Sequence, residues 1–276
     1  MDQETIKQAI GGPTPFFIGR TTDVELRTAY DLHRGDLIRI QQDQIELENN
    51  AGIHIQKPAS LHTYVQRFIQ AYEHCTHIAI WEKGGSMYQS MGHAQEWILQ
   101  RAKNTPRLTA RSLEPYYFQD SWMPALKGKR ILIVHPFAVT FQKQYQKRAE
   151  LFPNRSWFED CSIQFIKPPM TMAGNHGNKD WQEHMDIFFS DIQGVEFDVA
   201  LVAAGGYGML IADYIYTNMR RSVMYIGGAL QIFFGVIGKR WFDNKEIRSL
   251  ITDDWVRPAN DERPPNHTRV EKGCYW

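Results

Sequence analysis

Residues 197–203 read Phe-Asp-Val-Ala-Leu-Val-Ala and form the strongest buried-strand pattern in the chain. After Asp198 this run has no polar side chain, which is typical of a strand covered on both faces of a parallel sheet. Gly205-Gly206-Tyr207-Gly208 follows, then a helical segment to about Arg220 and a second apolar strand at 222–226. This order predicts one β-α-β unit.

Apolar runs of strand length alternate with helical segments along the rest of the chain as well. The sequence predicts strands at 15–19, 77–81, 107–111, 130–135 and 162–166, and helices at about 22–33, 60–75, 87–102, 139–151 and 180–192. Ser60 is the predicted N-cap of its helix. Residues 36–56 are predicted to be irregular, because Gly52 and the Asn49-Asn50 pair favour turns.

The alternation of strands and helices predicts an α/β fold with a Rossmann-like, mostly parallel sheet and helices on both faces. We expect a single domain over residues 1–257. The Pro-rich tail at 258–276 is expected to wrap the surface.

Composition excludes several classes of protein. The chain has 276 residues, of which 43% are hydrophobic, so it can bury a sizeable core. Its 31 Lys and Arg residues equal its 31 Asp and Glu residues, which argues against nucleic-acid binding through bulk charge. Three dispersed cysteines without zinc spacing predict a reduced, cytoplasmic setting.

No membrane-spanning segment is expected, because the longest uncharged run, 222–238, has 17 residues and a spanning helix needs about 20. The N-terminus has no signal-peptide pattern. Peripheral contact with a membrane is compatible with these observations. The sequence does not indicate an oligomeric state.

Ligands of parallel α/β folds bind beyond the carboxyl ends of the strands. Three loops have that position: 19–25, 205–208 and 227–228. In the first, Arg20-Thr21-Thr22-Asp23-Val24-Glu25 places two acids after a strand. Asp23 and Glu25 are candidate ligands of Mg²⁺ or Mn²⁺, and Arg20 is a candidate phosphate contact. The alternative is that both acids only favour the start of a helix.

The glycine loops are candidate binding elements for the same ligand. Glycine lets the backbone approach a ligand closely, and a following helix N-terminus favours an anion. Lys239 and Arg240 could meet phosphate, and Trp241 could stack on a base or a sugar. Simple turn glycines and a solvated pair of cations are the alternatives. The candidates are Gly205, Gly206, Tyr207, Gly227, Gly228, Gln231, Lys239, Arg240 and Trp241.

His135, at the end of a buried strand, and Asp213 are candidate catalytic bases, although a structural role for His135 is an equal alternative. Other enzyme classes lack their motifs in this chain. There is no HExxH, GxSxG or Walker A pattern, and no GxGxxG with a ribose-binding acid. These absences weigh against a zinc hydrolase, an α/β-hydrolase and a dinucleotide-dependent oxidoreductase or epimerase.

Arg20, Asp23 and Glu25 together resemble the early motif of the GT-D family of glycosyltransferases, typically Arg-Phe-Gly-Asp-Gly-Glu. Thr22 and Val24 stand where that motif has glycine. The later half is similar too, in its apolar strand, its glycine turn, the segment 212–214 and a strand that ends in Ile-Gly. The resemblance covers most of residues 15–235.

The resemblance implies a Rossmann-like enzyme that transfers a sugar from a nucleotide-diphosphate sugar, commonly a UDP-sugar, to a glycan acceptor. It implies that Asp23 and Glu25 lie near a metal and the diphosphate, with Arg20 on phosphate. The alternative is a non-catalytic Rossmann-like protein that binds a nucleotide or a glycan.

Overall fold

The computed structural model describes residues 1–276 and contains one seven-stranded, all-parallel sheet. The strand order is β3-β2-β1-β7-β6-β4-β5. This architecture confirms the α/β, Rossmann-like prediction. The strands are β1 (Phe17–Arg20), β2 (His77–Ile80), β3 (Arg107–Thr109), β4 (Arg130–Val134), β5 (Ser162–Ile166), β6 (Val199–Val202) and β7 (Ser222–Tyr225).

The apolar run that begins at Phe197 lies at the centre of one half of the sheet. β6 pairs with β4 on one side and with β7 on the other. Its side chains alternate between the two cores: Ala200 and Val202 belong to one, Val199 and Leu201 to the other. Because both faces are covered, the whole strand is apolar, as a buried parallel strand requires.

Eleven α-helices and several short 3₁₀ segments surround the sheet. The helices that contribute buried residues to the first face include α2, α3, α4, α6, α9 and α10. The helices are α1 (Asp2–Gly11), α2 (Val24–Arg34), α3 (Leu37–Ala51), α4 (Pro58–His74), α5 (Ser86–Met91), α6 (Ala94–Arg101), α7 (Ala138–Tyr145), α8 (Arg148–Leu151), α9 (Trp181–Ile192), α10 (Gly208–Thr217) and α11 (Lys245–Arg248). None of them has both the length and the apolar character that crossing a membrane demands.

The second face is covered by α1, α7, 3₁₀ segments and the C-terminal residues. The prediction that the tail only wraps the surface is wrong, because Val270 and Trp276 are buried in this core. Glu262 also ties the tail to the domain. Its carboxylate accepts hydrogen bonds from the backbone N–H groups of Val139 and Thr140 at the start of α7.

The largest error in the predicted secondary structure is α3, which occupies most of the segment expected to be irregular. Asp36 caps this helix by accepting a hydrogen bond from the backbone N–H of Arg39. Gly52 ends it in the left-handed conformation, with φ 78°. Both signals are ordinary helix boundaries, but exposed Leu37 and Ile38 obscure the amphipathic pattern between them.

Three other helices differ from the prediction. α4 has Lys57, not Ser60, at its N-cap, and the Ser60 hydroxyl donates instead to Asp180, the N-cap of α9. The segment 87–102 contains two helices, α5 and α6, which Gly92 separates at φ 57°. The segment 139–151 likewise contains α7 and α8 in place of one helix.

Candidate functional site

One large cavity, of about 690 Å³, opens at the carboxyl edge of the sheet. Its walls come from the segments that follow β1, β2, β4, β6 and β7, together with 3₁₀ segments and the C-terminus. The three loops selected from the sequence all reach it. The predicted residues that line it are Arg20, Asp23, Glu25, His135, Gly205, Gly227, Gly228, Gln231, Arg240 and Trp241.

Arg20, the last residue of β1, places a cation in the wall of this cavity. Its side chain is 12% exposed, and its guanidinium makes no hydrogen bond within the protein. The guanidinium carbon lies 5.4 Å from the Trp81 ring centre and 5.9 Å from that of Tyr225. The nearest carboxylate oxygen, on Glu114, is 3.9 Å from Nη1. A largely buried charge with so few partners lowers the stability of the fold unless a ligand supplies a hydrogen-bond acceptor.

Gly227 explains how Arg20 can occupy this position. The glycine has φ +68°, a conformation that L side chains rarely adopt, and a Cβ there would overlap Nη2 of Arg20. Next to it, a Cβ on Gly228 would stand 2.8 Å from Cε1 of Tyr275. The paired glycines therefore let a charged side chain and an aromatic ring approach the backbone closely.

Two further polar atoms at the cavity lack a partner: Thr22 Oγ1 and Gln231 Oε1 are both buried without a hydrogen bond. The amide orientation of Gln231 is fixed, because Nε2 donates to the carbonyl of Val236 at 3.1 Å. Buried polar atoms are ordinarily satisfied. With Nε of Arg20, three residues that line the cavity therefore each carry one buried polar atom that this geometry leaves without a hydrogen-bond partner.

Arg240 is the second cation of the cavity. Its Nη1 donates to the Tyr275 hydroxyl at 2.7 Å, and its Nη2 lies 3.8 Å from a Glu271 oxygen. Interaction with Tyr275 is the main cause that raises the arginine's pKa. Both cations thus face one end of the cavity, near Gly227 and Gly228.

Asp23 and Glu25 differ in their environments. Asp23 already accepts a hydrogen bond from Nε of Arg27 at 3.0 Å and another from the Ser90 hydroxyl. Glu25 is only 6% exposed, and burial raises the pKa of its carboxyl. Neither acid belongs to a group of three potential ligands close enough to hold one ion. Two carboxylates alone do not enclose an ion, and Mg²⁺ or Mn²⁺ at this pair would also take oxygens from water and from a diphosphate.

A Glu-His-His group elsewhere is the one cluster with metal-like spacing: Glu48, His54 and His176. His54 Nδ1 contacts a Glu48 oxygen at 2.9 Å. His176 Nδ1 accepts the backbone N–H of Asn178, so Nε2 carries the proton when the ring is neutral and is not free to bind an ion. The two imidazoles are also stacked 3.5 Å apart. A hydrogen-bonded structural cluster describes this geometry better than a metal site.

His135 lines the cavity, but its geometry does not favour the role of a base. Nδ1 accepts the backbone N–H of Phe137 at 2.9 Å, which assigns the proton of the neutral ring to Nε2. Burial lowers the pKa of the imidazole to about 3. His135 is therefore a neutral hydrogen-bond donor near neutral pH.

Four predicted residues do not line the cavity. Tyr207 is buried, and its hydroxyl bonds to the Gly52 carbonyl at 3.1 Å. The Gly206 carbonyl accepts a hydrogen bond from Tyr64. Asp213 pairs with His74 Nδ1 at 2.7 Å, and Lys239 is exposed. The first two stabilise the fold around the site, and Asp213 is not placed to act as a base in it.

Sequence reasoning missed several cavity residues. Glu114 lies between two 3₁₀ segments and Tyr117 ends the second, where the sequence has no periodic pattern, and Tyr275 and Glu271 come from the tail. The only sequence signal for Glu114 is an acid beside aromatic residues in 114–117. Comparison with protein-family models, curated proteins and solved structures found no match.

Proposed function

We propose that the protein is a glycosyltransferase that moves a sugar from a nucleotide-diphosphate sugar, with a UDP-sugar as the favoured donor, to a hydroxyl of a glycan. One observation carries the proposal: Arg20, largely buried and without a side-chain hydrogen bond, faces the Gly227-Gly228 turn in a large cavity at the carboxyl edge of the sheet. A planar cation beside open backbone suits a diphosphate.

In the proposed reaction, an acceptor hydroxyl attacks the anomeric carbon as the bond to the diphosphate oxygen breaks. Arg20 and Arg240 offset the negative charge that develops on the leaving nucleoside diphosphate. Nε2–H of His135 supplies a neutral donor from the β4 side. These steps use only side chains of the chain itself.

The acceptor proton must go to a base, and Glu25 suits this role best. It lines the cavity, and burial raises its carboxyl pKa toward the range in which a base works well near neutral pH. Asp23 accepts hydrogen bonds from Arg27 and Ser90 and lines the cavity near Glu25.

The test is turnover with defined donors. The protein is incubated with UDP-, GDP- and ADP-sugars, with and without Mn²⁺ or Mg²⁺, and nucleoside diphosphate release is measured with oligosaccharide acceptors. We expect release from one donor class that Glu25→Gln abolishes. The matched control is Glu196→Gln, an exposed acid outside the cavity.

A second candidate function is a binding protein that recognises a nucleotide or a glycan without transfer. The observation that favours it is that neither base predicted from the sequence is placed for catalysis: His135 carries its proton on Nε2, and Asp213 lies outside the cavity. Saturable binding of a nucleoside diphosphate without release from any donor and acceptor pair would support this function over transfer.

A further inference from the structure

Glu114 is a cavity residue that the proposed reaction does not use. It lies between two 3₁₀ segments, 110–113 and 115–117, and its side chain is 15% exposed. Oε2 accepts a hydrogen bond from the Tyr116 hydroxyl at 2.6 Å, which fixes the orientation of the carboxylate. Oε1 makes no hydrogen bond, and its nearest cation is Nη1 of Arg20 at 3.9 Å, beyond hydrogen-bond distance.

Oε1 is oriented by the hydrogen bond of Oε2, has no donor within the protein and is not sealed off by neighbouring atoms, so a ligand in the cavity can donate to it. Arg20 does not supply that donor, although it lies next to Glu114. Each side chain therefore keeps open hydrogen-bonding capacity. The guanidinium can donate to an acceptor such as phosphate, and Oε1 can accept from a donor such as a hydroxyl. A ligand that carries both groups a few ångströms apart would satisfy the pair.

A sugar joined directly to a diphosphate is such a ligand. We propose that Glu114 is a specificity-determining residue whose Oε1 accepts a hydrogen bond from a hydroxyl of the sugar next to the diphosphate. The inference rests on the proposed function, because it assumes that the diphosphate lies at Arg20. Two sugars have this position, the ribose of the nucleotide and the transferred sugar, and both offer the same chemistry.

The arrangement also accounts for the neighbouring charges. A carboxylate in direct contact with the diphosphate would repel it. A carboxylate that contacts a hydroxyl of the adjoining sugar instead favours ligands that carry that hydroxyl. Sites built to bond a hydroxyl reject analogues that lack it far more strongly than apolar pockets reject a change in size. Glu114 should therefore contribute selectivity rather than bulk affinity.

The experiment is a pair of double-mutant cycles by calorimetry on the full chain. Wild type and Glu114→Ala are titrated with UDP and 2′-deoxyuridine diphosphate, and then with UDP-glucose and UDP-2-deoxyglucose. We expect wild type to prefer the hydroxylated ligand by about 10- to 100-fold in one pair, and the variant to lose that preference. The pair that shows the coupling identifies the sugar. Glu246→Gln, an exposed acid outside the cavity, should keep the preference.

Equal preferences in wild type and Glu114→Ala for both pairs would overturn the inference. If the Ala variant does not fold, Glu114→Gln, which replaces a charged acceptor with a neutral one, should still reduce the preference at least about threefold. Failure of the proposed function looks different, because wild type would then bind none of the four ligands.

Discussion

Gly227 lies so close to Arg20 that a Cβ on the glycine would overlap Nη2 of the arginine. The glycine belongs to the turn after β7 and the arginine ends β1, and these two strands are neighbours in the sheet. Residues 207 positions apart in the chain therefore build one wall of the cavity. The guanidinium occupies space that is open only because residue 227 has no Cβ.

We expect Gly227→Ala to weaken nucleoside diphosphate binding at least about tenfold, because the new methyl group displaces Arg20 and strains the turn. The matched control is Gly128→Ala. Gly128 has a similar φ of +73°, but a Cβ there would meet nothing within 4 Å. Both variants should lose stability by about 1 kcal/mol or more from the backbone alone, measured by urea unfolding. Equal diphosphate affinity in the two variants would show that the contact with Arg20 has no role.

Arg20→Met should leave the free energy of unfolding unchanged or raise it by up to about 2 kcal/mol without ligand. The reason is that a buried charge with no hydrogen bond costs desolvation, which an apolar side chain of similar length avoids. Arg130→Met is the control, since that exposed arginine pairs with Asp198 and Glu196. It should lower stability only slightly, because exposed ion pairs contribute little to folding. A loss of several kcal/mol in Arg20→Met would mean that the guanidinium is structural.

Glu25→Gln should be at least as stable as wild type at pH 8. Burial raises the folded-state pKa of Glu25 above its ordinary 4.5, so the charged form opposes folding above that range. As the pH falls toward 4.5 the wild-type carboxyl gains its proton in the folded state, and the difference between the proteins should shrink. Urea unfolding at pH 8 and pH 4.5 measures this difference in the free energy of unfolding. A variant that is much less stable than wild type at pH 8 contradicts the assignment.

For His135 we expect the opposite dependence of folding stability on pH. Its folded-state pKa of about 3 lies below the ordinary 6.5, so the unfolded state binds more protons between these values. Stability from this group is present above pH 6.5 and is lost as the pH falls. His135→Asn, which keeps an acceptor for the Phe137 N–H, should be less sensitive to acid than wild type, by up to about 2 kcal/mol at pH 5.

The imidazole of His135 can also be followed directly. Its NMR signals should stay constant from pH 8 to pH 5, with the proton on Nε2 throughout. Titration of His135 near pH 6.5 would restore it as a candidate base and contradict the donor role.

The sheet could be predicted from the sequence because buried parallel strands are continuously apolar, as 199–202 shows. The loops after β1 and β7 could also be located, since glycines and charges follow those strands directly. Tyr207 could not be assigned in the same way. Its glycine-rich context resembles a ligand loop, but its side chain turns into the core and bonds to Gly52.

The contribution of Glu114 and Tyr275 to the cavity could not be predicted either. Neither residue follows a strand, and their positions depend on how 3₁₀ segments and the C-terminus pack against the second face of the sheet. Such packing is set by long-range contacts that leave no periodic pattern in a single sequence.

Calorimetric titration with UDP shows whether Arg20 and the Gly227-Gly228 turn bind a diphosphate. Wild type and Arg20→Met are titrated at equal salt, each with and without Mn²⁺, after unfolding curves show that both are folded. We expect saturable binding to wild type at one site, weakened at least about 100-fold in Arg20→Met. Absence of binding to wild type, or equal binding to both proteins, would contradict it.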